Sequence, residues 1–360
     1  MYVKVEELKE GNVLLEDVIS KAPEPLMVKD TILTSWHIKI LEAFLIDKVA
    51  IGGASMGMVV ENAGLPAEEK KRAAVPVQTK TNFFEVYLRS VDEYKKEFHK
   101  WQAGSGVDII QIREIILPLL DEVTADPGLF SKLYQCAEKE NYYCHHSVVT
   151  GLLSGAVAAQ LNYEKGFVIQ TALAGALADC GMARINPRIL LKETSLTAGE
   201  KKEVDKHPVL SYKMVKDINL LNPETKIAVF QHHERMDGSG YVNGAKAENL
   251  PPISRIVAAA DVFHAMTSDK LYRKRQTLFK VMEMFEQDFF GKFDLPTVKA
   301  LTALFTKLAS GTAVRLSDGQ LANVLFMKQQ HPTRPLLKLQ ANESIIDLEK
   351  RRDLHIEEVL

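Results

Sequence analysis

Residues 167–179 read FVIQTALAGALAD. No charge appears until the last position, and alanine, glycine and leucine fill most of the others. A helix of that composition is apolar on every face and is expected to be buried on most sides. Asp179 closes it. An ionised carboxylate in such surroundings is costly unless a metal, a cation or several donors satisfy it. The pattern recurs in RIVAAADVFHAM, residues 255–266, where Asp261 sits inside another largely buried helical run. Apart from Arg184 and Arg255 near the ends, neither run offers a basic residue one turn away on the same face. A metal is the simplest partner for both carboxylates.

The histidines point the same way. Six of ten (His145, His146, His207, His232, His233 and His264) fall between residues 145 and 264. From His146 to Asp179, His207, the His232–His233 pair and Asp261 the separations are 33, 28, 25 and 28 residues. Each gap is about one helix plus its connection, so each group would project from a different helix into one central site. A single buried His or Asp is ordinarily a hydrogen-bonded structural residue; a series at helix-length intervals points instead to a shared ligand set. Histidine and carboxylate ligands suit iron, manganese or zinc better than calcium or magnesium. Two such ions about 3.5–4 Å apart would activate water and clamp a phosphoryl group. His145, His264 and the cysteines Cys136, Cys144 and Cys180 are explained as ordinary packing or surface.

Composition limits the remaining classes. The chain has 360 residues, 46% hydrophobic and 26% charged, which fits a multi-domain globular protein. The charge sum of −2 gives no basic excess for a nucleic-acid polymer. Three cysteines without a CxxC pair exclude a disulfide framework and a cysteine-rich zinc site. The start, MYVKVEELKEG, lacks the apolar core of a signal peptide, and no run of 18 apolar residues suggests a membrane span. The expected compartment is the cytoplasm. Residues 12–19 and 48–51 look like strands and 36–44 like a helix, giving a small N-terminal α/β unit over 1–55. A polar linker follows at 56–80, then helical patterning from 83 to about 305. An Asp-Gly turn at Asp318-Gly319 between Ala313–Leu316 and residues 322–327 signals a β-hairpin in the tail.

HHERMDGSGYV at 232–242 resembles the HHExxDGxGYP signature of HD-GYP domains, a subgroup of the HD metal-dependent phosphohydrolases. His146-Ser147, Asp179 with Gly181, and the KHP ending at His207-Pro208 follow the family's order, and 255–273 is similar to its stretch after the signature. The likeness covers about residues 128–290, leaving 81–127 as a helical connector and 291–360 as a helix plus hairpin tail. It implies a mainly α fold, an HD-type helical bundle holding two or three metals, usually iron or manganese. The implied reaction is hydrolysis of cyclic di-GMP to pGpG or GMP. Carried over, His146, Asp179, His207, His232, His233 and Asp261 are metal ligands, with Asp179 the catalytic, bridging carboxylate. Asp237, Gly238, Gly240 and Tyr241 shape the substrate mouth, and Arg273 is a phosphate contact.

The departures matter as much. The family's His-Asp pair reads Ala178-Asp179, the lysine three positions later is Met182, the motif proline is Val242, and His264 replaces a common Asp. Tyr142 stands where members with a third metal place a Glu. Alanine offers no lone pair, so the position shared by His146, Asp179 and Asp261 loses a ligand, whereas Asp179, His207, His232 and His233 can still hold one ion. Cys180 is turned about 100° from Asp179 on a helix and is not expected to fill the gap. The expectation is a metal-binding protein of bacterial cyclic di-GMP signalling with weak or no phosphodiesterase activity, holding one divalent ion, with two permitted. Its partners would be cyclic di-GMP or a related nucleotide and signalling proteins. The alternatives are an active cyclic di-GMP phosphodiesterase and a phosphohydrolase of another nucleotide. The helices at 83–125 would pair two subunits into a homodimer or pack on the bundle.

Overall fold

The computed structural model describes residues 2–19, 25–34, 37–38, 41, 46–52, 83–133, 141–269, 274–287, 289–306, 308, 310–328 and 330–360. The expected linker at 56–80, most of the helix at 36–44, Cys136 and Arg273 lie outside them. The chain divides into two compact units, Met1–Arg89 and Ser90–Leu360.

The first unit is built from short strands: β1 (Tyr2–Lys4), β2 (Val13–Leu14), β3 (Val18–Ile19), β4 (Pro25–Met27) and β5 (Lys48–Gly52). Strand β5 lies between β1 and β2, and β3 pairs with β4, all antiparallel. The single strand expected over 12–19 is therefore two strands in different sheets. A bend at 15–16 separates them, and the Asp17 carboxylate beyond it accepts the Lys29 amide at 2.6 Å. Alternation alone does not reveal such a break, because the apolar residues continue on both sides of it.

The helices are α1 (Phe83–Gln102), which crosses the division, then α2 (Ile109–Ala125), α3 (Leu129–Leu133), α4 (Tyr142–Gln160), α5 (Lys165–Leu177), α6 (Pro187–Leu190), α7 (Ala198–Val204), α8 (His207–Val215), α9 (Pro223–Gln231), α10 (Pro252–Thr267), α11 (Leu278–Glu286) and α12 (Leu295–Phe305). The second unit is thus the helical bundle expected from the sequence. The apolar stripe of α2 (Ile112, Ile115, Ile116, Leu119, Leu120 and Val123) is buried, and Leu120 reaches the surface of α4 at Gly155. The stripe is used in packing on the bundle.

Helices α4 and α5 form the centre. Every residue of α4 from Cys144 to Ala158 is buried. Small residues let the two backbones approach closely. A Cβ on Gly151 would lie 2.9 Å from the Ala172 carbonyl oxygen and 2.9 Å from Ala176 Cβ; one on Gly175 would lie 2.8 Å from the Thr150 carbonyl oxygen. Lys165–Arg184 is long and apolar enough to cross a membrane by composition, but 78% of its apolar 18-residue window is buried inside the protein. Its apolarity is used for packing, and its end is where Asp179 sits.

The tail hairpin is part of a larger sheet. Strands β6 (Ala313–Leu316), β7 (Leu321–Phe326), β8 (Leu336–Leu339), β9 (Ile345–Asp347) and β10 (Ile356–Val359) form one antiparallel sheet in the order β10-β6-β7-β8-β9. Gly319, with φ +86°, supplies the left-handed residue of the β6–β7 turn. The buried Glu283 of α11 ties this sheet to the helices through Arg334 at 2.7 Å. Arg334 also donates to the carbonyls of Leu348, Arg351 and Leu354.

Candidate metal centre

Five elements bring six side chains together. His146 comes from the first turns of α4 and Asp179 from the turn after α5. His207 opens α8, His232 and His233 follow α9, and Asp261 lies within α10. Asp179, His207, His232 and His233 each direct one ligand atom so that all four lie within 4.8 Å of one another, and His146, Asp179 and Asp261 form a second such group. The buried Asp179 belongs to both. Its Oδ1 is 3.0 Å from His207 Nε2 and 3.6 Å from His232 Nε2, whereas Oδ2 is 3.6 Å from His146 Nε2. One carboxylate oxygen therefore faces each group.

Hydrogen bonds at the far side of the rings decide what these nitrogens carry. His207 Nδ1–H donates to the Val204 carbonyl at 2.7 Å, and His232 Nδ1–H to the Val229 carbonyl at 2.8 Å. In the neutral ring the proton is thus on Nδ1 and Nε2 presents a lone pair. Those two Nε2 atoms are only 3.0 Å apart, and His233 Nε2 is 3.2 Å from that of His207. Asp179 Oδ1, fully buried beside them, receives no hydrogen bond. Lone pairs converging on an unsatisfied carboxylate oxygen repel unless a cation lies among them, so the donor set fits a divalent metal.

Burial raises the Asp179 carboxyl, but the facing imidazoles of His207, His232 and His146 outweigh it and hold it well below the usual carboxylate range. Asp261 is also held down against burial, first by its hydrogen bond with His146 at 2.9 Å. Burial and the neighbouring His232 push the His233 imidazole well below its ordinary value, favouring the neutral form a ligand needs.

Glycine permits the approach of α8 to this cluster. A Cβ on Gly181 would come within 2.4 Å of the His207 carbonyl oxygen and 2.5 Å of the Ser211 nitrogen. Gly181→Ala is expected to cost about 1–3 kcal/mol and to displace His207. Thermal melting with and without Mn(II) checks it: a lower midpoint and a smaller metal-induced gain are expected, whereas unchanged values would show that the close approach is dispensable.

A cavity of about 220 Å³ opens over the cluster. His146, Asp179, His207, His233 and Asp261 form its polar side; Met182, Ile189, Leu190, Leu191, Leu196 and Val204 form an apolar wall. Lys192 is the one Lys or Arg among the described lining residues, its Nζ 2.6 Å from Glu200 Oε2. Tyr142 stacks on His146 with ring centres 5.2 Å apart, and Tyr241 on His233 at 4.7 Å.

Of the residues expected at the substrate mouth, Tyr241 lines the cavity; Asp237, Gly238 and Gly240 do not, and instead build the turn that carries it. Asp237 accepts the Ser239 amide at 2.9 Å, Gly238 has φ +80°, and a Cβ on Gly240 would meet the His233 carbonyl oxygen at 2.5 Å. Glu234 has a role that sequence reasoning missed. Its buried carboxylate accepts the amides of Asn243 at 2.7 Å and Ala245 at 2.9 Å, pinning this loop to the His pair. Lys192 gave no local signal. His264, read as ordinary packing, has Nδ1 2.7 Å from His146 Nδ1. Its spacing of three residues from Asp261 puts both on one helix face, and that signal was present in the sequence. Cys180 points to the Ser211 carbonyl at 3.9 Å and is in neither ligand group.

Residues 130–294 match the HD domain family. The cyclic di-GMP phosphodiesterase PA4108 of Pseudomonas aeruginosa is 29% identical over 242 residues, covering 67% of this chain and 58% of that protein. The cyclic di-GMP phosphodiesterase PdeB of Borreliella burgdorferi is 27% identical over 300 residues, 75% of this chain and 77% of the relative. This chain thus spans 58% of the Pseudomonas protein's length. Among solved structures, an HDG"Y"P protein from Bdellovibrio bacteriovorus superposes with a TM-score of 0.51 at 13% identity, covering 84% of this chain and 97% of the other. At that identity the likeness bears on the fold alone.

Proposed function

We propose that residues 130–294, which match the HD domain family and carry the HD-GYP-like signature at 232–242, bind cyclic di-GMP at a divalent-metal centre and hydrolyse it weakly or not at all. The observation that carries this reading is the convergence of three imidazole Nε2 atoms on the unsatisfied Asp179 Oδ1, at the floor of a cavity with one apolar wall.

Asp179, His207, His232 and His233 would hold one ion; imidazole and carboxylate donors suit iron, manganese or zinc, and the HD-GYP resemblance favours iron or manganese. Bound there, the ion supplies Lewis acidity toward a phosphoryl oxygen and toward water. Asp179 has a second oxygen turned to His146 and Asp261, so this neighbouring position keeps three ligands. Ala178 adds none. Tyr241 and the apolar wall offer surfaces for a purine, with the Tyr241 ring kept in place by its stack on His233. Met182 stands in this cavity where the resembling family has a lysine, and among the described lining residues Lys192 is the cation that can face a phosphodiester.

Lys192→Met is therefore expected to weaken cyclic di-GMP binding about ten-fold, the size of one charge-assisted hydrogen bond, with metal content unchanged. Isothermal titration of the metal-loaded protein reads it; undiminished affinity would remove Lys192 from the site. The function itself is tested by incubating oxygen-free protein, loaded with Fe(II) or Mn(II), with cyclic di-GMP. Binding with little or no pGpG or GMP is expected. Absence of binding with either metal would overturn the proposal. Rapid product formation, absent in Asp179→Ala, would favour the second reading, an active phosphodiesterase; the retention of both ligand groups gives that reading its support.

A further inference from the structure

Each histidine of the four-ligand group that donates to a backbone carbonyl is fixed in one tautomer by it. Among the described residues His146 makes no such carbonyl bond. Its Nδ1 faces His264 Nδ1 at 2.7 Å, while Nε2 lies 2.9 Å from Asp261 Oδ1. His264 in turn places Nε2 3.0 Å from Ser268 Oγ. Both rings are almost fully buried, as is Ser268. From these contacts we infer that His264 is the positioning residue for His146, and that the pair exchanges ring protons when His146 takes up a metal.

Two nitrogens 2.7 Å apart share one proton, so one ring must donate and the other accept. With Nε2–H of His146 donating to Asp261, His146 Nδ1 is bare and accepts from His264 Nδ1–H; the Ser268 hydroxyl then donates to His264 Nε2. A metal ligand needs His146 Nε2 bare. The proton on that nitrogen leaves, the shared proton moves from His264 Nδ1 to His146 Nδ1, and a proton enters at His264 Nε2, now donating to Ser268 Oγ. One proton leaves and one enters, so both rings stay neutral. An aspartate at position 264 would accept from His146 Nδ1–H without any exchange and would add a negative charge behind the ligand. A neutral imidazole gives weaker support, and it acts on the same position that lacks a ligand at Ala178. Both departures therefore weaken one metal position and spare the other.

The inference rests on the metal reading, and Zn(II), which is diamagnetic, separates the two. In the full chain with 15N-labelled histidine, Zn(II) is expected to shift His207 and His232 at low metal. At higher metal, His146 and His264 should both exchange which ring nitrogen carries the proton. His264→Ala is expected to weaken that second step about 10–100-fold and leave the first unchanged. His264→Asp should restore it or tighten it beyond the native chain, which a purely structural role would not do. Zn(II) that shifts His207 while His146 and His264 keep their tautomers at saturation would overturn the inference alone. So would an unchanged second step in both variants. No shift at any histidine would overturn the metal reading and this inference with it.

Discussion

Asp179→Asn is expected to remove metal from both positions at once and to take cyclic di-GMP binding with it. The substitution keeps the shape of the side chain and removes the charge that faces His207 at 3.0 Å through one oxygen and His146 at 3.6 Å through the other. Second-sphere losses at metal sites typically cost about 10–100-fold in affinity, and the loss of a shared ligand should exceed that range. The protein should still fold, since the amide no longer requires a compensating cation in a buried place. Metal content after desalting and equilibrium binding of cyclic di-GMP check both parts. Native metal content in the variant would mean that the histidines alone form the site and that Asp179 is not its centre.

The second large effect is a gain. Ala178→His combined with Met182→Lys is expected to raise metal content from one ion to two per chain and to increase hydrolysis by about 100-fold or more. The magnitude comes from two additions: a ligand at the position that keeps His146, Asp179 and Asp261, and a cation in the cavity where a dry electrostatic contribution is often worth several kcal/mol. Both positions are buried, Ala178 at 2% and Met182 at 7% exposure, so melting temperature must be followed with activity. A folded double variant with one ion and no product would show that the low activity has another cause. Ala178→His alone should restore the second ion more than turnover, because Met182 still lines the cavity.

The helical bundle was legible because its central helices are apolar on all sides, and Asp179 and Asp261 stood out for the same reason: a carboxylate without a nearby cation in an alanine-rich helix needs an explanation. His207 and the His232–His233 pair followed from helix-length spacing, and the structure gathers all of them into two ligand groups that share Asp179. What spacing could not deliver was anything set by contacts between distant helices. Lys192 reaches the cavity from a segment with no distinguishing pattern, and Glu234 acts through loop amides nine and eleven residues away. His264 was passed over because a histidine in a buried helix usually has a packing explanation. In the tail, the Asp-Gly turn revealed two strands, whereas β8, β9 and β10 are three or four residues long, too short for alternation to separate from loop.

X-ray absorption at the metal edge tests the central claim most directly. Protein loaded with one equivalent of Fe(II) or Mn(II) in the absence of oxygen should show a nitrogen and oxygen shell, with the outer-shell scattering of about three imidazoles and no sulfur. That spectrum should be lost in Asp179→Asn. A shell of oxygen alone, or one containing sulfur from Cys180, would contradict the assignment of the ion to Asp179, His207, His232 and His233.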